Sequence, residues 1–304
     1  MNSASAKQHS AFKVLWLGAH KTGTTFLQRC LDRSQPALCS ARIRYMELDE
    51  FRDKYGRPLL NNDFANLALN EFDGTDETML IFDENIPGYV QHALSPRGFY
   101  PDMEARATKI TDYLDFEPTD VVFGVRSYEG FLPSLYCETL KSTPFQTFDN
   151  YLRSSFRTRW NSQSETGPEI ADLGRMSWPK LLRRLRRLYP HARLRIYFYE
   201  QLRGNEVRLL SEVLGLPADQ IELLDTVERA GFSNRAVRQL HKISEKRAVE
   251  RRDVLRVNRH FPSGPDFPSF SPFDDAERAE LRQRYRAECD DLRSDDRFDV
   301  IDLG

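Results

Sequence analysis

The sequence predicts an α/β protein: a central parallel β-sheet of the phosphate-loop kind, flanked by helices, in a single domain. Three observations predict it. Four short apolar runs, at residues 14–17, 78–82, 120–126 and 193–200, carry Val, Leu, Ile, Phe and Tyr nearly without interruption, as strands buried on both faces do. Segments with helical spacing separate these runs, which calls for parallel strands joined by right-handed crossovers. Lys21 and Glu84 fall just past the end of a run and Arg126 closes one, where sheets of this kind bind ligands. The 304 residues suffice for one large α/β domain or two small ones. No internal repeat or clean linker divides them. The expected organisation is a disordered lead at 1–11 and one domain at 12–304, of which 217–304 form a helical and loop extension.

The first run, Val14-Leu15-Trp16-Leu17, leads into Gly18-Ala19-His20-Lys21-Thr22-Gly23-Thr24-Thr25. Phe26, Leu27, Cys30 and Leu31 then repeat at helical spacing, and Pro36 is expected to end that helix. A short strand is expected at 41–45 and irregular chain with short helices at 47–68. Thr78-Met79-Leu80-Ile81-Phe82 is the second strand, closed by Asp83-Glu84-Asn85. A helix at 102–114, the third strand at 120–126 and helices at 128–140 and 148–157 follow. Residues 160–175 read as loop. An amphipathic helix at 178–188, the fourth strand at 193–200 and a helix at 206–214, stopped by Gly215 and Pro217, complete the sheet region. A last helix is expected at 276–292.

Strand, tight loop and helix N-terminus together make an anion site. The first N–H groups of a helix have no partner within it, and the helix dipole adds positive potential there. Gly18 and Gly23 allow close backbone approach. Lys21 supplies a mobile charge, and Thr22, Thr24 and Thr25 supply hydroxyls. The fitting ligand is a phosphate or a sulfate. Farther along, Arg126 at a strand end is followed by Ser127 and, eight residues on, by Ser134. An arginine fork and a hydroxyl two helical turns later can converge on one phosphate.

In the nucleoside-triphosphatase loop G-x-x-x-x-G-K-[ST] the lysine follows the last glycine, whereas here Lys21 precedes Gly23. The order G-x-x-K-T-G-T-T resembles instead the 5′-phosphosulfate loop of the sulfotransferases, especially the N-sulfotransferase domain of heparan sulfate enzymes and many bacterial sulfotransferases. Arg126 and Ser134 resemble that family's second signature, which grips the 3′-phosphate of the nucleotide. Tyr197-Phe198-Tyr199-Glu200, with the helix ending Val213-Leu214-Gly215, is similar to its late strand and following helix, so the resemblance spans roughly residues 12–216. It implies 3′-phosphoadenosine 5′-phosphosulfate (PAPS) as donor and adenosine 3′,5′-bisphosphate (PAP) as product, with no metal. Lys21, Thr22, Gly23, Thr24, Thr25, Arg126 and Ser134 would bind it, and Lys21 would stabilise the leaving group. The heparan sulfate relatives carry a catalytic Glu after the matching strand, which makes Glu84 the first choice of base and Asp83 the second. A base working near neutral pH calls for a Glu84 that is partly desolvated, or poised by Lys21. His20 beside the loop joins the catalytic set as a neighbour that shapes it, and His92 is a further candidate. The implied acceptor is a saccharide or a small hydroxylated metabolite, with a peptide tyrosine as another. The alternatives are a nucleotide kinase or other phosphate-loop NTPase, with Asp83 holding magnesium, and a non-catalytic nucleotide-binding protein on the same scaffold.

Composition sets the remaining bounds. A net charge of −2 gives no global pull toward nucleic acid or anionic membrane. No run approaches a membrane span, and the first residues lack the apolar core of a signal peptide, so a cytoplasmic protein is expected. Cys30, Cys39, Cys137 and Cys289 form no CxxC pair and suggest neither zinc nor a disulfide framework. Residues 241–260 hold seven Lys or Arg against three acidic residues. They run into the aromatic, proline-bounded stretch from His260 to Pro268, which suggests a lid with Arg235, Arg251, Arg252, Arg256 and Arg259 as candidate phosphate contacts.

Overall fold

A computed structural model describes residues 12–72, 77–142, 144–156, 176–224 and 231–304. The lead at 1–11 and the loop expected at 160–175 lie outside the described residues.

The apolar runs form the centre of a six-stranded, wholly parallel sheet. Its strands are β1 (Lys13–Trp16), β2 (Ile43–Tyr45), β3 (Thr78–Phe82), and, after a separate antiparallel pair β4 (Leu94–Ser95) and β5 (Gly98–Phe99), β6 (Asp120–Val125), β7 (Arg193–Phe198) and β8 (Asp299–Val300). The order is β2-β3-β1-β6-β7-β8. From β1 the chain runs to the edge at β2, returns through β3, and crosses over β1 to β6. That reversal opens a crevice at the carboxyl end of β1, the general ligand position of such sheets.

Helices α1 (Thr24–Arg33) and α2 (Gln35–Ser40) follow β1, and α3 (Leu48–Phe51) and α4 (Arg57–Asn61) follow β2. Next come α5 (Met103–Tyr113), α6 (Tyr128–Thr139) and α7 (Phe148–Phe156). Helix α8 (Trp178–Leu188) leads into β7, and α9 (Tyr199–Leu202) and α10 (Glu206–Leu214) follow it. The C-terminal extension is α11 (Asn234–Ser244), α12 (Arg251–His260) and α13 (Asp275–Ser294). Alternate strand residues divide the core between the two faces, as a period of two requires. Val14, Trp16, Leu80, Phe82 and Val122 pack with α1, α2 and α10. Leu15, Leu17, Ile81, Val121 and Phe123 pack with α5, α6, α8 and the C-terminal helices.

Three local expectations are corrected. Pro36 does not simply end a helix: α1 stops at Arg33 and Pro36 sits in the first turn of α2, where its missing N–H costs nothing. The segment read as irregular runs almost unbroken from Leu48 to Asn61, with a π-helical stretch at Arg52–Gly56. Pro58 has no N–H to offer the Lys54 carbonyl four residues back; the widened turn accommodates it, and that carbonyl accepts from the Ala68 N–H instead, at 3.1 Å. Last, β7 ends at Phe198, and Tyr199-Glu200 starts the helical turn α9 rather than extending the strand. There Glu200 accepts from the Ser127 N–H (2.8 Å) and the Tyr285 hydroxyl (2.7 Å), contacts that a straight strand would not reach.

Candidate functional site

The loop between β1 and α1 is bent by three left-handed residues, Gly18 (φ 57°), Lys21 (φ 66°) and Gly23 (φ 84°). A Cβ on Gly18 would meet Thr24 Cγ2 at 2.8 Å, and one on Gly23 would meet Leu202 Cδ2 at 2.6 Å, so both positions need glycine. Lys21 takes this conformation with a side chain, at a cost of about 1–2 kcal/mol. The sheet supplies the compensation. Arg126 Nη1 donates to the Lys21 carbonyl (2.7 Å), and the Tyr197 hydroxyl donates to the Thr22 carbonyl (3.1 Å). Tyr197 can lie across β6 because residue 124 is glycine; a Cβ there would stand 2.4 Å from its Cζ and 2.5 Å from its hydroxyl oxygen.

Phe26 and Leu27 donate to the Gly23 carbonyl at 3.0 and 3.1 Å. The Thr24 and Thr25 amides, ahead of them in the first turn of α1, have no acceptor within the helix. The three threonines divide. Thr25 is exposed and Thr24 is buried. Thr22 is wholly buried and spends its hydroxyl on the Ala19 carbonyl (2.6 Å), inside the loop.

Arg126 and Ser134 meet this loop through one face of α6. The Arg126 guanidinium stacks over the Tyr199 ring (4.3 Å) and lies so close to Gly130 that a Cβ there would stand 3.2 Å from its Nε. Ser134 lies one turn beyond Gly130, and Glu138 one turn beyond Ser134, so the three share a face. Glu138 Oε2 accepts from Lys21 Nζ (3.1 Å) and Lys141 Nζ (2.7 Å). Half-buried Ser134 is thus bracketed by an arginine bound to the loop backbone and the loop's own lysine. Burial pushes the Glu138 carboxyl up, but Lys21 and Lys141 more than reverse this, leaving it below its usual range. Sequence reading missed Glu138, although it continues the i, i+4 series from Ser134.

The carboxylates at the end of β3 are held by a residue that was also missed. Arg52, on the π-helical turn, donates to Asp83 Oδ1 through Nε (3.0 Å) and Nη2 (2.6 Å), and to Glu84 Oε1 through Nη2 (3.0 Å). Asp83 is wholly enclosed, and burial pushes its carboxyl up against the pull of Arg52. Glu84 keeps 13% of its side chain exposed and takes a further bond from Gln28 Nε2 (3.0 Å). Burial raises the Glu84 carboxyl, yet Arg52, then His20, leave it below its ordinary value. Among the described residues, then, Arg52 poises Glu84, and the carboxylate that Lys21 meets is Glu138.

His20 is buried beside this network. Its N–H and Nδ1 lie 3.0 and 3.1 Å from the Tyr100 hydroxyl. The Asn85 amide stands between His20 Nε2 (3.2 Å) and Arg52 Nη2 (2.8 Å). The orientation that satisfies both turns its oxygen to Arg52 and its NH₂ to Nε2, so a neutral His20 carries its proton on Nδ1. Burial lowers the imidazole pKa, which keeps the ring neutral. Both ring nitrogens are engaged, as befits a residue that shapes the loop. His92 is exposed, on a short 3₁₀ turn between β3 and β4.

Much of the basic C-terminal segment is occupied locally. Arg247 and Arg256 pair with buried Asp253 at 2.7 and 3.1 Å. Phe261 and Phe267 pack edge to face at 5.4 Å, with the Arg235 guanidinium 4.9 Å from the first ring and 5.8 Å from the second. Among the described residues no helix is long and apolar enough to cross a membrane. No protein-family model matches the chain, and no curated protein matches it.

Proposed function

We propose that the protein is a sulfotransferase, moving a sulfuryl group from PAPS to a hydroxyl or amine of a saccharide or small hydroxylated acceptor in the cytoplasm. The observation that carries this reading is the shared face of α6, which sets Ser134 between Arg126 and the Lys21 loop. Two anion grips at fixed separation suit a nucleotide phosphorylated at both ends. The donor set fits this ligand: the left-handed glycines at 18 and 23 bend the loop around the start of α1, whose amides, with Thr25 and Lys21, would hold one anion, while Arg126 and Ser134 would hold the other.

When bound, PAPS supplies the activated sulfuryl group and a phosphate leaving group. Lys21 and the α1 amides then stabilise the charge that grows on the leaving oxygen, and they are in place before the reaction. Glu84, ionised and oriented by Arg52 and Gln28, takes the proton from the acceptor. Asp83, the second choice of base, is enclosed and serves to hold Arg52. The same enclosure weakens the kinase alternative, which needs a strand-end carboxylate open to magnesium.

Arg126→Ala is the direct test. It should weaken PAP by about 10- to 150-fold, the equivalent of roughly 1.5–3 kcal/mol for charge-assisted contacts, and weaken adenosine 5′-phosphate much less, through the lost bond to the Lys21 carbonyl alone. Calorimetric titration of both nucleotides measures this. Equal losses would remove Arg126 from the 3′-phosphate. A wild-type protein that binds PAP but releases none from PAPS across an acceptor panel would leave the non-catalytic alternative standing.

A further inference from the structure

We propose that a cleft between the C-terminal end of α6 and the start of α12 is the acceptor site, and that it takes a small hydroxylated molecule with an apolar body and an oxyanion. The inference rests on the sulfotransferase reading and adds the acceptor's chemical class. The cleft encloses about 470 Å³, the size of sites for small organic ligands. Leu140, Phe145, Val249 and Val254 give it apolar walls, and Lys141 and Arg251 stand at it with their charges.

Its position carries the argument. Lys141 Nζ and Lys21 Nζ both sit on one oxygen, Glu138 Oε2, so a single carboxylate separates the cleft from the loop lysine. An acceptor lodged there brings a hydroxyl toward Lys21 while its remainder stays against the apolar walls. The charge balance sets the class. Glu250, the carboxylate on the lining, is paired with Arg252 at 2.7 Å. Arg251 is exposed, and among the described residues no carboxylate pairs with it. The first turn of α12 adds little on its own, since the Asp253 carboxylate lies there, accepting the Glu250 N–H at 3.1 Å. Lys141 is spent on Glu138, so the unspent positive charge at the cleft is that of Arg251, suited to a carboxylate, phosphate or sulfate.

The transfer balances. The acceptor hydroxyl loses its proton to Glu84, the base of the proposed reaction, as its oxygen bonds to sulfur. The bond from sulfur to the phosphate oxygen breaks, and its electron pair leaves with PAP.

The test uses 4-hydroxyphenylacetate and its methyl ester, which share the ring and hydroxyl and differ in the charge. Titrated into PAP-saturated protein, the acid should bind at least about ten-fold tighter than the ester, close to the lower end of what a charge-assisted contact provides. Arg251→Glu should remove that preference while leaving PAP affinity unchanged. Equal binding of acid and ester, no binding of either, or a preference that survives Arg251→Glu would overturn the assignment. Val254→Trp, which fills the cleft from a second side, should weaken both probes; unchanged binding there would also overturn it. PAP affinity is read in the same titrations, so failure of the nucleotide reading is distinct from failure of the cleft.

Discussion

Lys21 combines three properties: a left-handed backbone, a carbonyl tied to Arg126, and an ammonium resting on Glu138. The first two fix where the side chain starts; the third holds its charge near the anion position. If that charge acts mainly as the leaving oxygen becomes negative, Lys21→Ala should lower kcat by about 10²–10³-fold and PAP affinity by less than about ten-fold. Rates from labelled donor, set beside PAP titrations, decide this; an unchanged kcat with a raised KM would make Lys21 a binding group only. His20 offers a pH test. Burial, helped by Arg52, lowers its folded pKa below the ordinary 6.5, against the opposing pull of Glu84 and Glu138. The unfolded chain therefore takes up the proton first. The contribution of neutral His20 to stability is complete above the unfolded pKa and is lost as pH falls from there through the folded pKa. The stability difference between wild type and His20→Gln, from urea unfolding between about pH 7.5 and 5.5, should shrink on acidification. A constant difference would mean that His20 is already charged in the fold.

At the scale of elements, the loop is shaped from the neighbouring strands. Gly124 on β6 leaves space for Tyr197 from β7, whose hydroxyl holds the Thr22 carbonyl. Gly124→Ala should displace that ring and lower stability by about 1–3 kcal/mol, as overpacking does, and PAP affinity should fall with it. Tyr197→Phe loses only the hydrogen bond, about 1 kcal/mol. Denaturant midpoints for the two variants check the order, and a milder effect from Gly124→Ala would show that the ring has another place to go. The contrast marks how much was legible in the sequence. Continuous apolar runs announce buried central strands, so β1, β3, β6 and most of β7 were readable, as was the lysine–glycine–threonine loop between strand and helix. Two-residue β8 has no periodicity to read, and α3 and α4 were hidden by Gly56 and Pro58, whose disruption is absorbed by a π-helical turn and a distant N–H from Ala68. Arg52 was lost with that segment. Its role depends on a three-dimensional approach to β3 that no local pattern encodes.

For the whole molecule, the question is whether residues 251–270 close over the site. The aromatic, proline-bounded loop was expected to serve as a lid, but its backbone is fastened to the chain just before α11. Pro262 and Ser269 bridge to Phe232 and Ser233. Ser263 donates to the Gly231 carbonyl (3.0 Å), Phe270 to that of Phe232 (2.9 Å), and Asn234 to that of Pro268 (3.0 Å). Within the loop, Gly264 donates to Phe267 (3.0 Å), and the two phenylalanines are covered by Arg235. A segment held by backbone bonds on both arms moves only if residues 231–234 move with it. Hydrogen exchange should therefore find the amides of Ser263, Gly264 and Phe270 already protected without nucleotide and little changed by PAP. Residues 21–25 should gain protection on PAP binding, which controls for occupancy. Rapid exchange at Ser263 and Phe270 in the free protein, suppressed when PAP binds, would show that the fastening opens in solution and that the loop closes as a lid.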